Sequence, residues 1–224
     1  MLKRTKLKDR ALPDYTTGEE VMNMTTHIVG AVLGLTVLIL CVIQATSRGG
    51  WVDILGAIAF GISMILLYTM SSVYHGLKPS HAKKVLQVLD HCTIYVLIAG
   101  SYTPVALSAI YPVYPAIGLG LVIAEWLLAF AAITLTAIDL DRFSIFSMVC
   151  YIGMGWAILP FLPQTMATLG MPGFWLLLAG GISYTVGAVL YGIGGKLRWF
   201  HSVFHIFVLI GSVLHFLAIY LYAL

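Results

Sequence analysis

An all-α integral membrane fold, a seven-transmembrane-helix bundle with the N-terminus cytoplasmic and the C-terminus outside, is predicted by three observations. Hydrophobic residues make up 60% of the 224 positions and charged residues only 9%. Mean hydropathy is +0.98, far from that of an ordinary soluble domain. The apolar residues fall into seven stretches of about 20 residues or slightly more, the length a helix needs to cross the hydrocarbon core.

The stretches lie at 21–45, 52–76, 86–109, 115–138, 143–162, 173–194 and 201–223. Thr17 and Glu20 have capping-box spacing, which assigns Glu20 to the start of the first helix. SRGGW at 47–51 ends that helix, and KPSHAKK at 78–84 separates the second from the third. YPVYP at 111–115 and DLDR at 139–142 bracket the fourth. LPQTMATLGMPG at 162–173 and GGKLRWF at 194–200 bracket the sixth. Residues 1–15 read as a flexible basic tail and 16–224 as a single membrane domain, because short connections make successive helices antiparallel neighbours. The tail contains acidic residues and the first apolar run lacks a small-residue cleavage site, so no cleaved signal peptide is expected.

Basic residues set the orientation. Lys3, Arg4, Lys6, Lys8, Arg10, Lys78, Lys83, Lys84, Arg142, Lys196 and Arg198 fall on one side, and Arg48 alone on the other. The positive-inside rule places the crowded side in the cytoplasm, hence a multi-pass protein of the cytoplasmic (inner) membrane. The tail is explained as a topology signal that attracts anionic lipid, and nucleic-acid binding is not expected. Cys41, Cys92 and Cys150 all lie within spans without C-x-x-C spacing, which disfavours disulfides and thiolate metal sites.

Ionisable residues inside a membrane are costly and mark cavities, partners or pathways. His201 and His205 sit one helical turn apart, a spacing that suits two ligands of one ion and equally suits hydrogen bonds to neighbouring helices. Counting from Arg198, they lie roughly 5 and 10 Å into the last span. Counting from Lys78 and Lys84, His75 lies roughly 5 Å and Asp90 roughly 9 Å from the same face. Ser71 is one turn deeper than His75 on the same side of its helix. Three histidines with one open position for water make a common catalytic zinc arrangement, and a carboxylate beside that water can act as general base. Competing roles are a pairing of Asp90 with His91, a lysine of the second loop or an unpaired backbone group, and a hydrogen bond from Ser71 back to its own helix.

Other polar residues fall outside this set. Asn23 and His27 share a face of the first helix and suit helix–helix hydrogen bonding or the same cavity. His91 is about 100° round the helix from Asp90 and is expected to point elsewhere. His81 lies in a charged loop and is expected to be solvated. Glu125 and His215 lie nearer the outer half, where pairing with each other is one role for them. No lysine lies within the last span to form a retinal Schiff base.

In order and spacing, these signatures resemble the progestin and adipoQ receptor family in its bacterial haemolysin III-type branch. The resemblance covers essentially the whole chain. It rests on Glu20, Asn23 and His27, on Ser71 and His75, on Asp90, and on His201 and His205. It implies Zn2+ on His75, His201 and His205, with Asp90 and Ser71 beside it as catalytic residues, and a similarity to alkaline ceramidases. On that footing the expected function is zinc-dependent hydrolysis of a lipid amide or ester in membrane lipid homeostasis, with membrane lipids as partners. A receptor-like sensor with structural zinc and a haemolysin- or channel-like protein are the alternatives.

Overall fold

The computed structural model describes residues 4–194 and 197–224, so Lys3 and Lys196 lie outside the described residues. The described residues form helices and no strand, in the order α1 (Thr17–Arg48), α2 (Trp51–Gly76), α3 (His81–Pro104), α4 (Pro115–Ile138), α5 (Ser144–Gly155), α6 (Leu162–Gly194) and α7 (Phe200–Ala218). This is the outcome lipid dictates, since a helix pairs its backbone polar groups within itself. Two π-helical stretches, Val105–Ile110 and Ile219–Ala223, extend α3 and α7. The first follows Pro104, which has no N–H to offer the α-helical ladder.

Six helical segments are long and apolar enough to cross a membrane, and the fifth is the 50-residue stretch Ser144–Ile193. That stretch is not one straight rod. It breaks after Gly155, makes a short 3-10 turn at Leu159–Phe161, and kinks at Gly170, whose φ of 65° and ψ of 170° lie outside helical values. The long break expected at 162–173 is thus largely helical, with the irregularity concentrated at Gly170 just before Pro172. Ser147, near the start of α5, bonds Thr136, which bonds Tyr95 in the middle of α3, and Tyr102 near the end of α3 reaches Gly155 at the end of α5, so α5 runs in the direction of α3. Trp156 Nε1 donates to Thr185, and Tyr191 lies against His91, so the second half of α6 returns the opposite way.

Close approach of α1 and α2 depends on glycine. A Cβ on Gly61 would lie 2.6 Å from Leu38 Cα, and one on Gly30 would collide with the Tyr68 ring. This pair of helices forms the wall from which Asn23, His27, Ser71 and His75 project. Tyr68, fully buried, reaches across to Ser212 of α7 at 2.6 Å and closes the wall against the last helix.

The N-terminal segment is tied down rather than loose. Arg4 Nε donates to the Ile138 carbonyl, the Thr5 N–H to Asp139, and Lys84 Nζ to the Lys8 carbonyl. Arg10 is buried beside Asp141 at 3.3 Å. Residues 4–16 therefore run across the bundle end where α4 stops and α5 starts. Charge explains the departure from a flexible tail, because the acidic loop 139–142 faces the basic segment.

Gly61→Ala is expected to lower stability by about 1–3 kcal/mol through overpacking. Gly120→Ala, where a Cβ meets nothing within 4 Å, is expected to leave thermal unfolding in detergent unchanged. The Asp139 carboxyl gives a pH test. Burial alone would raise its pKa, but N–H donors from Thr5 and Arg142 hold it below the usual carboxylate range. Its contribution is therefore present at neutral pH and is lost as pH falls below about 4 and through the lower folded-state value. A spin label at Lys6 is expected to gain mobility over that window, and to be mobile at every pH in Asp139→Asn.

Candidate metal centre

α2 delivers His75 in its last turn and α7 delivers His201 and His205 in its first two turns. The entry to α7 is fixed by Trp199, at φ 68°, an unusual conformation for a bulky residue that costs about 1–3 kcal/mol and persists only where its surroundings enforce it. Glu19 does the enforcing. Its Oε1 accepts from the Trp199 N–H at 2.6 Å, while its Oε2 accepts from the N–H and hydroxyl of Thr16. The capping box of α1 is thus Thr16 with Glu19, not Thr17 with Glu20. Spacing alone cannot separate two overlapping T-x-x-E frames one residue apart.

Freed from capping, Glu20 does something else. Its Oε2 accepts from His75 Nδ1 at 2.6 Å and its Oε1 from Lys83 Nζ at 2.6 Å. Lys83 is itself buried and also donates to the Leu77 carbonyl. A carboxylate cannot donate here, so His75 carries its proton on Nδ1 and its Nε2 lone pair is free. The Asn23 carbonyl stands 3.3 Å from His205 Nδ1 and fixes the same tautomer there. Ser202 donates to Asn23 Oδ1 at 2.6 Å, locking α1 against α7.

The Nε2 atoms converge. His205 Nε2 is 3.0 Å from His201 Nε2, which is 3.4 Å from His75 Nε2. One ligand atom from each of the three buried residues lies within 4.8 Å of the others, a spacing a single ion can bridge. Free lone pairs at that distance repel one another unless a cation or proton lies between them. Tyr15 stacks on the His201 ring at 4.9 Å, so the N-terminal segment roofs the cluster.

On the inward side of the cluster lies a mainly apolar cavity of about 130 Å³. Its lining includes Ser71, Asp90, His201 and His205. Ser71 Oγ is buried and has no hydrogen-bond partner among the described residues, so it does not bond back to its helix, whereas Ser72 does, to the Tyr68 carbonyl. The pairings proposed for Asp90 are absent too. His91 bonds the Gln87 carbonyl and the Tyr191 hydroxyl, Lys83 is held by Glu20, and Lys84 reaches Lys8.

Two sequence expectations change, for His91 and for Glu125 with His215, and of the two roles open to His27 the structure shows the cavity. His91 lines the same cavity as Asp90, because the cavity is wide enough to take in both faces. His27 also lines it, stacked on His205 at 3.7 Å with neither ring nitrogen bonded. Glu125 and His215 do not pair: His215 Nε2 meets the Leu177 carbonyl, and Glu125 Oε2 has no partner among the described residues. His81 is exposed at the start of α3, as expected. Sequence reasoning missed the contact of Glu20 with His75. The signal available was a second acidic residue beside a sufficient cap.

Fold and cluster together define a multi-pass helical membrane protein with three buried histidines converging at one end of the bundle. The chain belongs to the haemolysin-III-related family, which it matches over residues 15–216. It is 36% identical over 208 residues to the "Hemolysin-3 homolog" of Bacillus subtilis, covering 93% of this chain and 96% of the relative. To "Hemolysin-3" of Bacillus cereus it is 37% identical over 206 residues, 92% of each chain. The human "Monocyte to macrophage differentiation factor" is 27% identical over 216 residues, 92% of this chain and 85% of the relative.

Carboxylates that orient a metal-binding histidine typically change affinity 10- to 100-fold when removed. The cluster as a metal centre is tested by Zn2+ titration of the purified protein against a chromogenic chelator: one bound ion per chain is the expected outcome, weakened by about that factor in Glu20→Gln and lost in His201→Ala, and no bound ion in the unmodified protein overturns the assignment.

Proposed function

We propose that the protein is a seven-span, zinc-dependent hydrolase of a lipid amide or ester in the cytoplasmic membrane, acting in membrane lipid homeostasis. The observation that carries this is one juxtaposition. Three imidazole Nε2 atoms converge at the end of an apolar cavity into which the Asp90 carboxylate, in no ion pair among the described residues, and the Ser71 hydroxyl also face.

The donor set fits zinc. A tetrahedral ion with Zn–N bonds of 2.0–2.1 Å separates its nitrogen ligands by about 3.3 Å. The two close separations, 3.0 and 3.4 Å, bracket that value. His75, His201 and His205 would hold the ion, with Glu20 and the Asn23 carbonyl fixing two of their tautomers. Bound zinc supplies Lewis acidity, polarising a carbonyl and acidifying water at neutral pH. Asp90 supplies a carboxylate that no lysine or histidine neutralises by direct contact, suited to taking a proton from water and returning it to the leaving group. Ser71 offers a hydroxyl to orient the reacting carbonyl. The cavity walls exclude bulk water and receive the apolar part of the substrate.

Seven crossings follow if Ser144–Ile193 passes the membrane twice, as the opposed directions of α5 and the second half of α6 support. With basic residues gathered at the histidine end, the N-terminus and the metal site then face the cytoplasm, and the C-terminus the outside.

Asp90→Asn is expected to retain zinc and thermal stability while losing at least 100-fold in hydrolysis of N-acyl amine or acyl ester substrates. Retained zinc and fully retained biological function in Asp90→Asn would instead assign the ion a structural role in a receptor-like sensor. The unpartnered Glu125 is what a channel reading rests on, and ion flux in sealed proteoliposomes that disappears in Glu125→Gln would favour it.

A further inference from the structure

The cavity beside the histidines does not end there. A second, smaller one of about 40 Å³ shares Ser101, Tyr102, Gly155, Trp156, Gly181 and His215 with it, so the two meet around His215. Together they form an internal passage running away from the metal end, walled mostly by apolar side chains. Ten residues of α7 separate His205 from His215, roughly 15 Å along the helix.

His215 is the polar group at that junction with unused bonding capacity. Its Nε2 stands 3.2 Å from the Leu177 carbonyl, which can only accept, so Nε2 carries the proton and neutral Nδ1 is a bare acceptor. Nδ1 is buried and has no partner among the described residues. The Cδ2–Nε2 edge of the ring rests on α6, where the missing Cβ of Gly180 makes room for it. The Nδ1 edge therefore turns away from α6. Neighbouring hydroxyls are committed elsewhere: Ser101 to the Ile98 carbonyl at 2.9 Å, Tyr102 to the Gly155 carbonyl at 3.0 Å, and Thr185 to the Gly181 carbonyl at 2.8 Å. Tyr184 is held by Ser212 at 2.8 Å. A buried acceptor left without a donor is costly, and a ligand that brings a donor to it gains that cost back as affinity.

We propose that His215 is a second recognition point for a long-chain ligand, accepting a hydrogen bond from a hydroxyl carried part-way along an acyl chain whose carboxyl end lies at the three-histidine cluster. The ligand class is hydroxylated acyl chains, with the hydroxyl about a dodecyl length from the carbonyl. This rests on reading the cavity as the acyl-chain site of the proposed hydrolase, and it adds a chain specificity that the reaction itself does not require.

The test is displacement of a fluorescent fatty acid, cis-parinaric acid, from the purified full-length protein by stearate and by 12-hydroxystearate. The hydroxy acid is expected to displace the probe at about five- to tenfold lower concentration, the worth of one buried hydrogen bond. His215→Phe is expected to equalise the two acids while stearate affinity stays within about twofold. Gly180→Ala, which pushes the ring from its seat without changing its chemistry, is expected to do the same. Equal displacement by the two acids in the unmodified protein overturns the proposal and leaves water as the partner of Nδ1. So does a preference that survives both substitutions, or failure of either acid to displace the probe. Repeating the assay after chelation and in Asp90→Asn separates the two readings. A hydroxyl preference that survives both, in a protein whose unmodified form neither binds zinc nor hydrolyses lipid, upholds the chain site and removes the hydrolase.

Discussion

Three imidazoles whose Nε2 atoms face one another, buried in a bundle surrounded by hydrocarbon, constitute the constraint on which the rest of the structure depends. Each nitrogen has given up water, and in the tautomers that Glu20 and the Asn23 carbonyl impose neither His75 nor His205 can donate towards the centre, so at most the one proton of His201 lies between three acceptors. The arrangement persists because other groups hold it. Glu20 is balanced by the buried Lys83 ammonium, Asn23 is locked by Ser202, and Tyr15 covers the His201 face. α1, which contributes none of the three converging nitrogens, supplies most of the groups that orient them. The closeness of α1 to α2 at Gly30 and Gly61 is thus part of the site's geometry as well as of the bundle's packing.

The polar inventory of the interior divides in two. One part is fully bonded and mechanical: Tyr68 with Ser212, Tyr95 with Thr136, Trp126 with Thr103. The other part, Ser71, His27 and His215, lines the internal cavity without hydrogen-bond partners among the described residues, apart from the single bond of His215 to Leu177. Buried groups without partners are uncommon in proteins and more so within a bilayer. Their gathering along one passage distinguishes a binding interior from a packed one.

Much of this was legible in the sequence because membranes impose simple rules. Span length, hydropathy and charge placed the helices to within a few residues, apart from the region between α5 and α6. There Gly170 concentrates a break that composition spread over a dozen positions. Depth counting from Arg198, Lys78 and Lys84 brought His75, Asp90, His201 and His205 to one level, because rise per residue in a helix is nearly constant. Azimuth was harder. Helical angle alone points His91 away from Asp90, yet a wide cavity accepts both. Local spacing offers Glu20 a capping role, and only the approach of α2 and α3 shows that it serves His75 and Lys83. The docking of residues 4–16 was invisible for the same reason, since it depends on a loop more than 130 positions away.

The carboxylate of Glu19 joins Thr16 at the start of the first helix to Trp199 at the entry to the last. A ribosome delivers Thr16 and Glu19 about 180 residues before Trp199. The left-handed turn at Trp199, which aims His201 and His205 inward, can be held only once α7 has met the start of α1. The cluster therefore cannot form segment by segment during synthesis, and waits on a contact between the first and the seventh helix.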